Sequence, residues 1–236
     1  MLDLQHEVID AYPNLATIPA IENDQLRQMT QRTWLGRMVN EYGSSSVFAS
    51  FADQCTKHAA IVGISPVEIE RLHQFANEEK RHGILCGAVV ETFGGAAIAD
   101  TRSTSLFPLH EDAGTIFPMH EDAGPLEGIL RNLLSICCLS ETVAVALIAA
   151  EREDMPDGVL KDLLTDIWSD ECGHAHFGWR HLNDWLPNDP ILKNKLGEYL
   201  TVAFGHLEAH ELAHLPLNSN PPKEGLQYGL CSGQAA

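Results

Sequence analysis

The stretches Glu79-Lys80-Arg81-His82 and Glu171-Cys172-Gly173-His174 decide how this sequence folds, because they are two copies of one Glu-x-x-His motif. Each copy follows a single glutamate in an earlier helix-forming stretch. Glu41 lies 38 residues before Glu79, and Glu141 lies 30 residues before Glu171. Residues three apart lie on the same face of a helix, so each motif presents a carboxylate beside an imidazole.

Apolar spacing and capping signals around these motifs predict five helices. Asn23 is a suitable N-cap for the first helix, and Ser65-Pro66-Val67-Glu68 has the form of a capping box that begins the second. The second helix should end near Gly94-Gly95. The expected helices cover residues 24 to 56, 66 to 94, 125 to 154, 156 to 186 and 189 to 215, each boundary being approximate.

The lengths of the connections predict an all-α fold. The first and second helices, like the third and fourth, are joined by short turns, whereas about 30 residues separate the second from the third. Two antiparallel hairpins joined by one long crossover form a four-helix bundle. We expect one domain over residues 1–236, with an irregular arm at 1–22, the bundle at 24–187, a fifth helix at 189–215 and a tail at 216–236.

Position along the hairpin axis and helical phase predict which glutamates lie close together. In an antiparallel hairpin, residues equidistant from the turn lie at the same height; the midpoint of Glu41 and Glu79 is residue 60, and that of Glu141 and Glu171 is residue 156. Both midpoints fall in short turns. Glu79 shares its face with Leu72, Phe75 and Cys86, whereas Glu70 lies nine residues earlier and faces the opposite way. Glu78 is the nearest rival to Glu79, but the three-residue spacing to His82 favours Glu79.

Four carboxylates on core faces require positive charge, because an unpaired buried carboxylate costs several kcal/mol. Carboxylates that bridge two hard cations, with one histidine for each, make a dinuclear iron or manganese site. The predicted metal ligands, which are also the predicted catalytic residues, are Glu41, Glu79, His82, Glu141, Glu171 and His174.

These six residues, in the order Glu, Glu-x-x-His, Glu, Glu-x-x-His, resemble the ferritin-like di-iron carboxylate superfamily over residues 24–187. The second complete motif, with His174, is more similar to the oxygen-activating branch than to storage ferritins. The cysteine-ligated iron module of rubrerythrins is missing from this sequence. The resemblance implies two iron ions, with a Mn/Fe pair as the variant, O₂ or peroxide as oxidant, a small-molecule substrate and an unidentified electron donor.

Two other functions compete with this hypothesis. A ferritin-like ferroxidase that stores iron would use the same fold. In addition, His210-Glu211-Leu212-Ala213-His214 is an H-E-x-x-H motif, typical of zinc hydrolases. Only 22 residues follow His214, and Glu224 is the only carboxylate among them that could complete a zinc site. We therefore expect this motif to be a structural cluster.

Composition excludes several partners. The formal net charge of −18 argues against nucleic acid and against an anionic membrane surface. The N-terminal residues lack the pattern of a signal peptide, and no apolar run approaches the roughly 20 residues that cross a bilayer. We expect a cytoplasmic protein, with a homodimer left open as its assembly. The six cysteines include no C-x-x-C pair and are expected to be free thiols.

Two local features allow more than one interpretation. LFPLHEDAGT (106–115) is followed by the near-repeat IFPMHEDAGP (116–125), which we interpret as a duplication in a surface loop rather than as a second metal site at its His, Glu and Asp residues. Gly43-Ser44-Ser45-Ser46 lies one turn after Glu41. These small residues predict either space for O₂ or substrate beside the metals or close helix packing.

Overall fold

The computed structural model describes residues 1–9, 11–100, 117–214 and 220–231, without the side chains of Pro13 and of residues 210–214, and these parts are mostly helical. Six α-helices occur in them, in the order α1 (Asp24–Val62), α2 (Pro66–Thr92), α3 (Pro125–Leu133), α4 (Glu141–Asp154), α5 (Val159–Trp185) and α6 (Pro190–His214). Two-residue strands β1 (Leu2–Asp3) and β2 (Ile98–Ala99) pair antiparallel. Short 3₁₀ helices cover Pro13–Thr17 and Lys223–Tyr228. The all-α class expected from the sequence is confirmed.

The hairpin of α1 and α2 forms where the capping signals predict it. Asn23 accepts a hydrogen bond from the Leu26 backbone N–H at the start of α1. Ser65 and Glu68 form the predicted capping box, each side chain accepting a hydrogen bond from the other residue's backbone N–H. Helix α1 ends at Gly63, whose φ of 80° lies in the left-handed region that glycine tolerates. The helix is six residues longer than predicted, because residues 57–62 contain no glycine or proline to end it.

The third predicted helix is continuous from α3 to α4 but is not α-helical throughout. Leu134–Ser140 form a π-helical segment, and the Glu141 backbone N–H donates to the Ile136 carbonyl, five residues earlier. Helix α5 approaches this segment closely at Gly178, where a Cβ atom would lie 2.5 Å from the carbonyl carbon of Cys137. The π-helical segment thus packs against Gly178 of α5 and leads directly into α4.

The N-terminal arm and the C-terminal tail both pack on the helices. Leu4, Val8 and Leu15 of the arm are buried in one cluster with Trp34 of α1. The Trp34 indole N–H donates to the backbone carbonyl of Tyr228 at 2.8 Å. The arm contains short regular elements, although the sequence predicted it to be irregular.

One expectation about hydropathy is wrong. The helical run Pro125–Asp154 contains an 18-residue window of mean hydropathy 2.2, long and apolar enough to cross a membrane by length and composition, and 39% of this window is buried inside the chain. The window is interrupted by serines and by Glu141, which is why the sequence did not show it as one apolar run. Core side chains such as Leu133 and Leu134 account for its buried part.

The interpretation of the tandem decapeptides as a surface loop describes only part of the second copy, in which Met119, Glu121 and Asp122 are exposed. Phe117 is buried, and the His120 ring lies 2.9 Å, through Nε2, from Oδ1 of the buried Asn132. The Asn132 side chain also donates to the Pro118 carbonyl and to Gln54 of α1. Phe117, Pro118 and His120 thus pack into the core while their neighbours face solvent, and the first copy lies outside the described residues.

Candidate metal centre

The six predicted ligands come together in the middle of the helices. Glu41 comes from α1, Glu79 and His82 from α2, Glu141 from the start of α4, and Glu171 and His174 from α5. Their ligand atoms fall into two sets, each with all atoms within 4.8 Å of one another. The first set is Glu41, Glu79, His82 and Glu171, and the second is Glu79, Glu141, Glu171 and His174.

Two glutamates belong to both sets, and Glu171 shows how they can be shared. Its Oε1 lies 3.1 Å from Nδ1 of His82, and its Oε2 lies 3.1 Å from Nδ1 of His174. The two imidazole rings are 6.3 Å apart, centroid to centroid. One carboxylate therefore faces both histidines, as a bridging ligand between two metal ions must.

The terminal ligands complete the two sets in a matching way. Glu41 Oε2 lies 3.5 Å from Nδ1 of His82, and Glu141 Oε2 lies 3.4 Å from Nδ1 of His174. Glu79 Oε1 lies 3.1 Å from Nδ1 of His174. In both histidines Nδ1 is the nitrogen that faces the four glutamates of the two ligand sets.

The other nitrogen of each histidine is held by an acid from the opposite hairpin. Nε2 of His82 lies 3.0 Å from Asp170 of α5, and Nε2 of His174 lies 2.9 Å from Glu78 of α2. These acids act crosswise, since each contacts the histidine that the other hairpin supplies. A carboxylate on Nε2 keeps the proton there, so that Nδ1 is free to bind a metal.

Two arginines extend this outer layer, and no motif in the sequence indicates them. Arg81 forms an ion pair with Asp170, and Arg71 lies 3.2 Å from Glu78. The histidine and Arg81 beside Asp170 hold the pKa of that carboxyl below its usual range, although burial opposes the effect.

Small residues allow the helices to approach at this level. A Cβ atom at Gly83 would lie 2.7 Å from the Cβ of Tyr42, so only glycine lets α2 contact α1 beside Glu41 and His82. On the other side, the π-helical segment ends at Glu141. Segments of this kind are rare and often mark functional sites.

The centre is buried and short of positive charge. Glu79 and Glu171 are each 2% exposed, Glu141 is 7% exposed, and both histidines are fully buried. Burial and the neighbouring Glu171 raise the pKa of Glu79 to about 8, and burial raises the pKa of Glu141 well above its ordinary value. Two imidazoles cannot balance four carboxylates, so protons must replace part of the missing charge.

The pKa values of both histidines are raised as well. Burial alone would lower the pKa of His82, but hydrogen bonds to Asp170, Glu171 and Glu41 raise it to about 12. The pKa of His174 is raised as well, because its acceptors outweigh its burial. For Glu171 burial is outweighed by hydrogen bonds from Glu141 and the histidines, which lower its pKa. The raised pKa values of both histidines and of Glu79 and Glu141 reflect the same shortage of positive charge.

These residues fit a pair of metal ions. Glu79 Oε1 and His82 Nδ1 are buried and form no hydrogen bond of acceptable geometry within the described part of the chain, although the ion pairs above bring them near opposite charges. Cations between the two sets would engage both atoms and neutralise the carboxylates. A donor set of oxygens with a few imidazole nitrogens suits iron or manganese. The buried Glu and His groups could therefore hold metal ions.

A cavity of about 500 Å³ adjoins the centre between α1 and α4. Glu41, Glu79, Glu141 and Glu171 form part of its wall, together with Gly43 and Ser44 of α1. A Cβ atom at Gly43 would meet no described atom within 4 Å. The small residues after Glu41 thus leave open space beside the site, and close helix packing does not explain Gly43.

The other residues singled out in the sequence lie outside this centre or outside the described side chains. Glu70 is exposed, as its helical phase predicts. His210, Glu211 and His214 lie at the end of α6, and their side chains are outside the described residues, as are His110, Glu111 and Asp112 of the first decapeptide. All six cysteines are free, which confirms the expectation of unpaired thiols.

Comparisons with known proteins give no further guide: no protein-family model matches the chain, and neither a search of curated proteins nor a search of solved structures finds a match.

Proposed function

We propose that this protein is an oxidoreductase that uses a dinuclear non-haem iron centre, or a Mn/Fe pair, to oxidise a small organic substrate with O₂ or peroxide. The observation that carries the proposal is the pair of overlapping ligand sets, which share Glu79 and Glu171 and adjoin an open cavity. Storage alone would not require a cavity of about 500 Å³ beside the carboxylates.

The fold that goes with this function is the ferritin-like four-helix bundle, over residues 24–187. Its support is the order of the elements: α1 and α2 are joined by a short turn, α4 and α5 by another, and a crossover from 93 to 124 separates the two hairpins. The whole chain would form one domain, with α6 as a fifth helix. Each hairpin supplies one Glu-x-x-His motif and one single glutamate.

Two reduced iron ions, when bound, supply two electrons together to one oxidant molecule. The chain's own residues provide the rest. Glu79 and Glu171, which belong to both ligand sets, would hold both ions, and Glu41 and Glu141 would each hold one of them. Asp170 and Glu78 keep the protons on the Nε2 atoms of the histidines. Apolar side chains around the cavity exclude water from the reacting oxidant.

A turnover that inserts one oxygen atom from O₂ needs two further electrons, and we propose a separate electron donor in the cytoplasm to supply them.

Aerobic loading with excess Fe(II), followed by gel filtration and iron assay, tests the proposal against iron storage. We expect iron to saturate at about two ions per chain, because each ion has its own histidine and stays bound through a redox cycle. Retention of tens of irons per chain in a large assembly would instead establish a storage protein.

The same assay on the His210→Ala, His214→Ala double variant serves as the control for the zinc-hydrolase alternative. We expect the stoichiometry of two metals to persist, since α6 supplies no ligand to the described centre. Loss of one bound zinc together with loss of peptidase activity would favour the hydrolase.

A further inference from the structure

The cavity beside the centre is long rather than round. Its wall on α1 runs from Met29 to Phe48, which corresponds to roughly 28 Å of helix. Glu41 lies between these ends, roughly 18 Å of helix from Met29 and roughly 10 Å from Phe48. A cavity of about 500 Å³ with a wall of this length is a channel, and the predicted metal ligands lie along its side rather than at its end.

The walls of the channel are suited to a hydrocarbon chain. Helix α4 contributes Ala144, Leu147 and Ile148, which follow Glu141 at helical spacing. Opposite them, α1 contributes Gly36 and Gly43, seven residues apart, and a Cβ atom at either would meet no described atom within 4 Å. The glycines widen the channel on one side while the apolar side chains line it on the other.

One end of the channel carries surplus positive charge. Arg32 is exposed there and forms no ion pair with any described residue, and Arg37 of the next turn pairs with Glu151 at 2.5 Å. Nη1 of Arg37 is buried and has no hydrogen-bond partner within the described residues. Arg32 and the unpartnered Nη1 of Arg37 are the groups at this end of the channel that can bind an anion. A guanidinium binds a carboxylate with two parallel hydrogen bonds.

We infer that the channel binds a medium- or long-chain monocarboxylate of the fatty-acid class, with its carboxylate at Arg32 and Arg37 and its chain along α1 and α4. Arg32 lies nine residues before Glu41, roughly 13 Å of helix. A chain anchored at the arginines therefore passes the carboxylates of the centre with its middle, not with its anchored end. The oxidation of this chain rests on the proposed function, whereas its binding does not.

Calorimetric titration of the purified full-length protein with laurate, butyrate and lauryl alcohol tests the inference. Laurate should bind, and butyrate should bind at least tenfold more weakly, since it cannot fill the apolar part of the channel. Lauryl alcohol should bind roughly tenfold more weakly than laurate, because it lacks the charge that pairs with the arginines. Absence of laurate binding, or equal affinities for the acid and the alcohol, would overturn the assignment.

Substitutions locate the binding site. Gly36→Leu and Gly43→Leu should each weaken laurate binding at least tenfold by filling the channel. Gly197→Leu is the matched control, because Gly197 is an exposed glycine of α6 with equally open surroundings and lies outside the channel. Arg32→Gln should weaken laurate binding roughly tenfold and leave lauryl alcohol binding unchanged. Equal laurate affinity in the three leucine variants would place the ligand elsewhere.

Metal content measured on the same samples separates this inference from the proposed function. Laurate binding by a protein that never binds two metals would refute the oxidoreductase and retain the channel. Two metals per chain without laurate binding would retain the centre and refute the fatty-acid ligand.

Discussion

Nε2 of His82 and Oδ2 of Asp170 lie 3.0 Å apart, although the two residues belong to different hairpins. The same relationship recurs between His174 and Glu78 at 2.9 Å. In each case the acid directly precedes a ligand glutamate, Asp170 before Glu171 and Glu78 before Glu79. Each hairpin thus orients the histidine that the other hairpin supplies.

Removing the charge of these acids should weaken metal binding without removing a ligand. We expect Asp170→Asn and Glu78→Gln each to lower metal affinity about 10- to 100-fold, because the Nε2 proton loses its anionic acceptor. Competition with a chromophoric chelator measures this affinity. Asp166→Asn is the control, since Asp166 is an exposed acid on the same helix as Asp170. If Asp170→Asn and Asp166→Asn bound metal equally well, the crossed pairs would have no role at the centre.

The shared glutamate Glu79 should be essential for the pair of metals, whereas Glu70 on the same helix should not. Glu79→Ala removes an oxygen donor from both ligand sets, so we expect the content of two metals per chain to be lost. Glu70→Ala should keep it, because the Glu70 side chain is exposed. Metal analysis of the two purified variants decides the matter, and an identical metal content would refute the assignment of Glu79.

Close packing at the π-helical segment predicts a stability effect. Gly178→Ala places a methyl group 2.5 Å from the Cys137 backbone, and we expect it to lower the free energy of unfolding by about 2 kcal/mol or more. Gly173→Ala on the same helix is the control, because its nearest neighbour is the end of the Arg71 side chain at 3.6 Å. This control should be neutral or gain up to about 1 kcal/mol from helix propensity. Urea unfolding gives both values, and equal values would argue against the tight contact.

The second decapeptide copy should matter for stability but not for metal binding. His120→Ala removes a buried partner of Asn132, and we expect a loss of about 1 to 3 kcal/mol in the free energy of unfolding. Glu121→Ala, at the neighbouring exposed position, should change stability by less than about 0.5 kcal/mol. Thermal unfolding and metal analysis on both variants check this. A change in metal content in His120→Ala alone would connect the loop to the centre.

The stabilisation that metals provide should grow as pH rises. In the metal-free protein the pKa of Glu79 is raised from 4.5 to about 8, mainly by burial, and that of His82 is raised from 6.5 to about 12 by its acceptors, against the effect of burial. Glu79 therefore holds more protons in the folded state than in the unfolded state between about pH 4.5 and 8, and His82 does so from about pH 6.5 upward. The metal-free protein therefore loses stability as pH rises through this window.

Metal ions displace these protons, so the loaded protein should not show the same loss. The difference in Tm between the loaded and metal-free protein should widen between pH 5 and 8, by on the order of 5 °C. Glu79→Gln supplies the control, because its metal-free form should lose less stability over the window. A constant difference in Tm across this range would contradict the electrostatic account of the centre.

Much of the centre could be predicted from the sequence because it depends on local periodicity. Hairpin height and helical phase place Glu41, Glu79, Glu141 and Glu171 together and turn Glu70 outward, and these properties follow from spacing along the chain. The capping box at Ser65 and Glu68 is local as well. The prediction of helices and of a buried Glu and His cluster thus needed no long-range information.

The remaining features depend on contacts between distant segments. The π-helical segment before Glu141 depends on the packing of α5 at Gly178, which no local pattern indicates. Burial of the second decapeptide depends on Asn132 and Gln54. The crossed pairing of Asp170 and Glu78 requires the relative position of the two hairpins. The channel likewise depends on the distance between α1 and α4.

The crossed pairs have a consequence for assembly. A separated hairpin would retain its own Glu-x-x-His motif, but the carboxylate that fixes the tautomer of its histidine would be on the missing half. If the centre binds metals as proposed, high-affinity loading would report that both halves have docked in the correct register. A misdocked half would keep buried acids without counterions, which destabilises it and favours its unfolding.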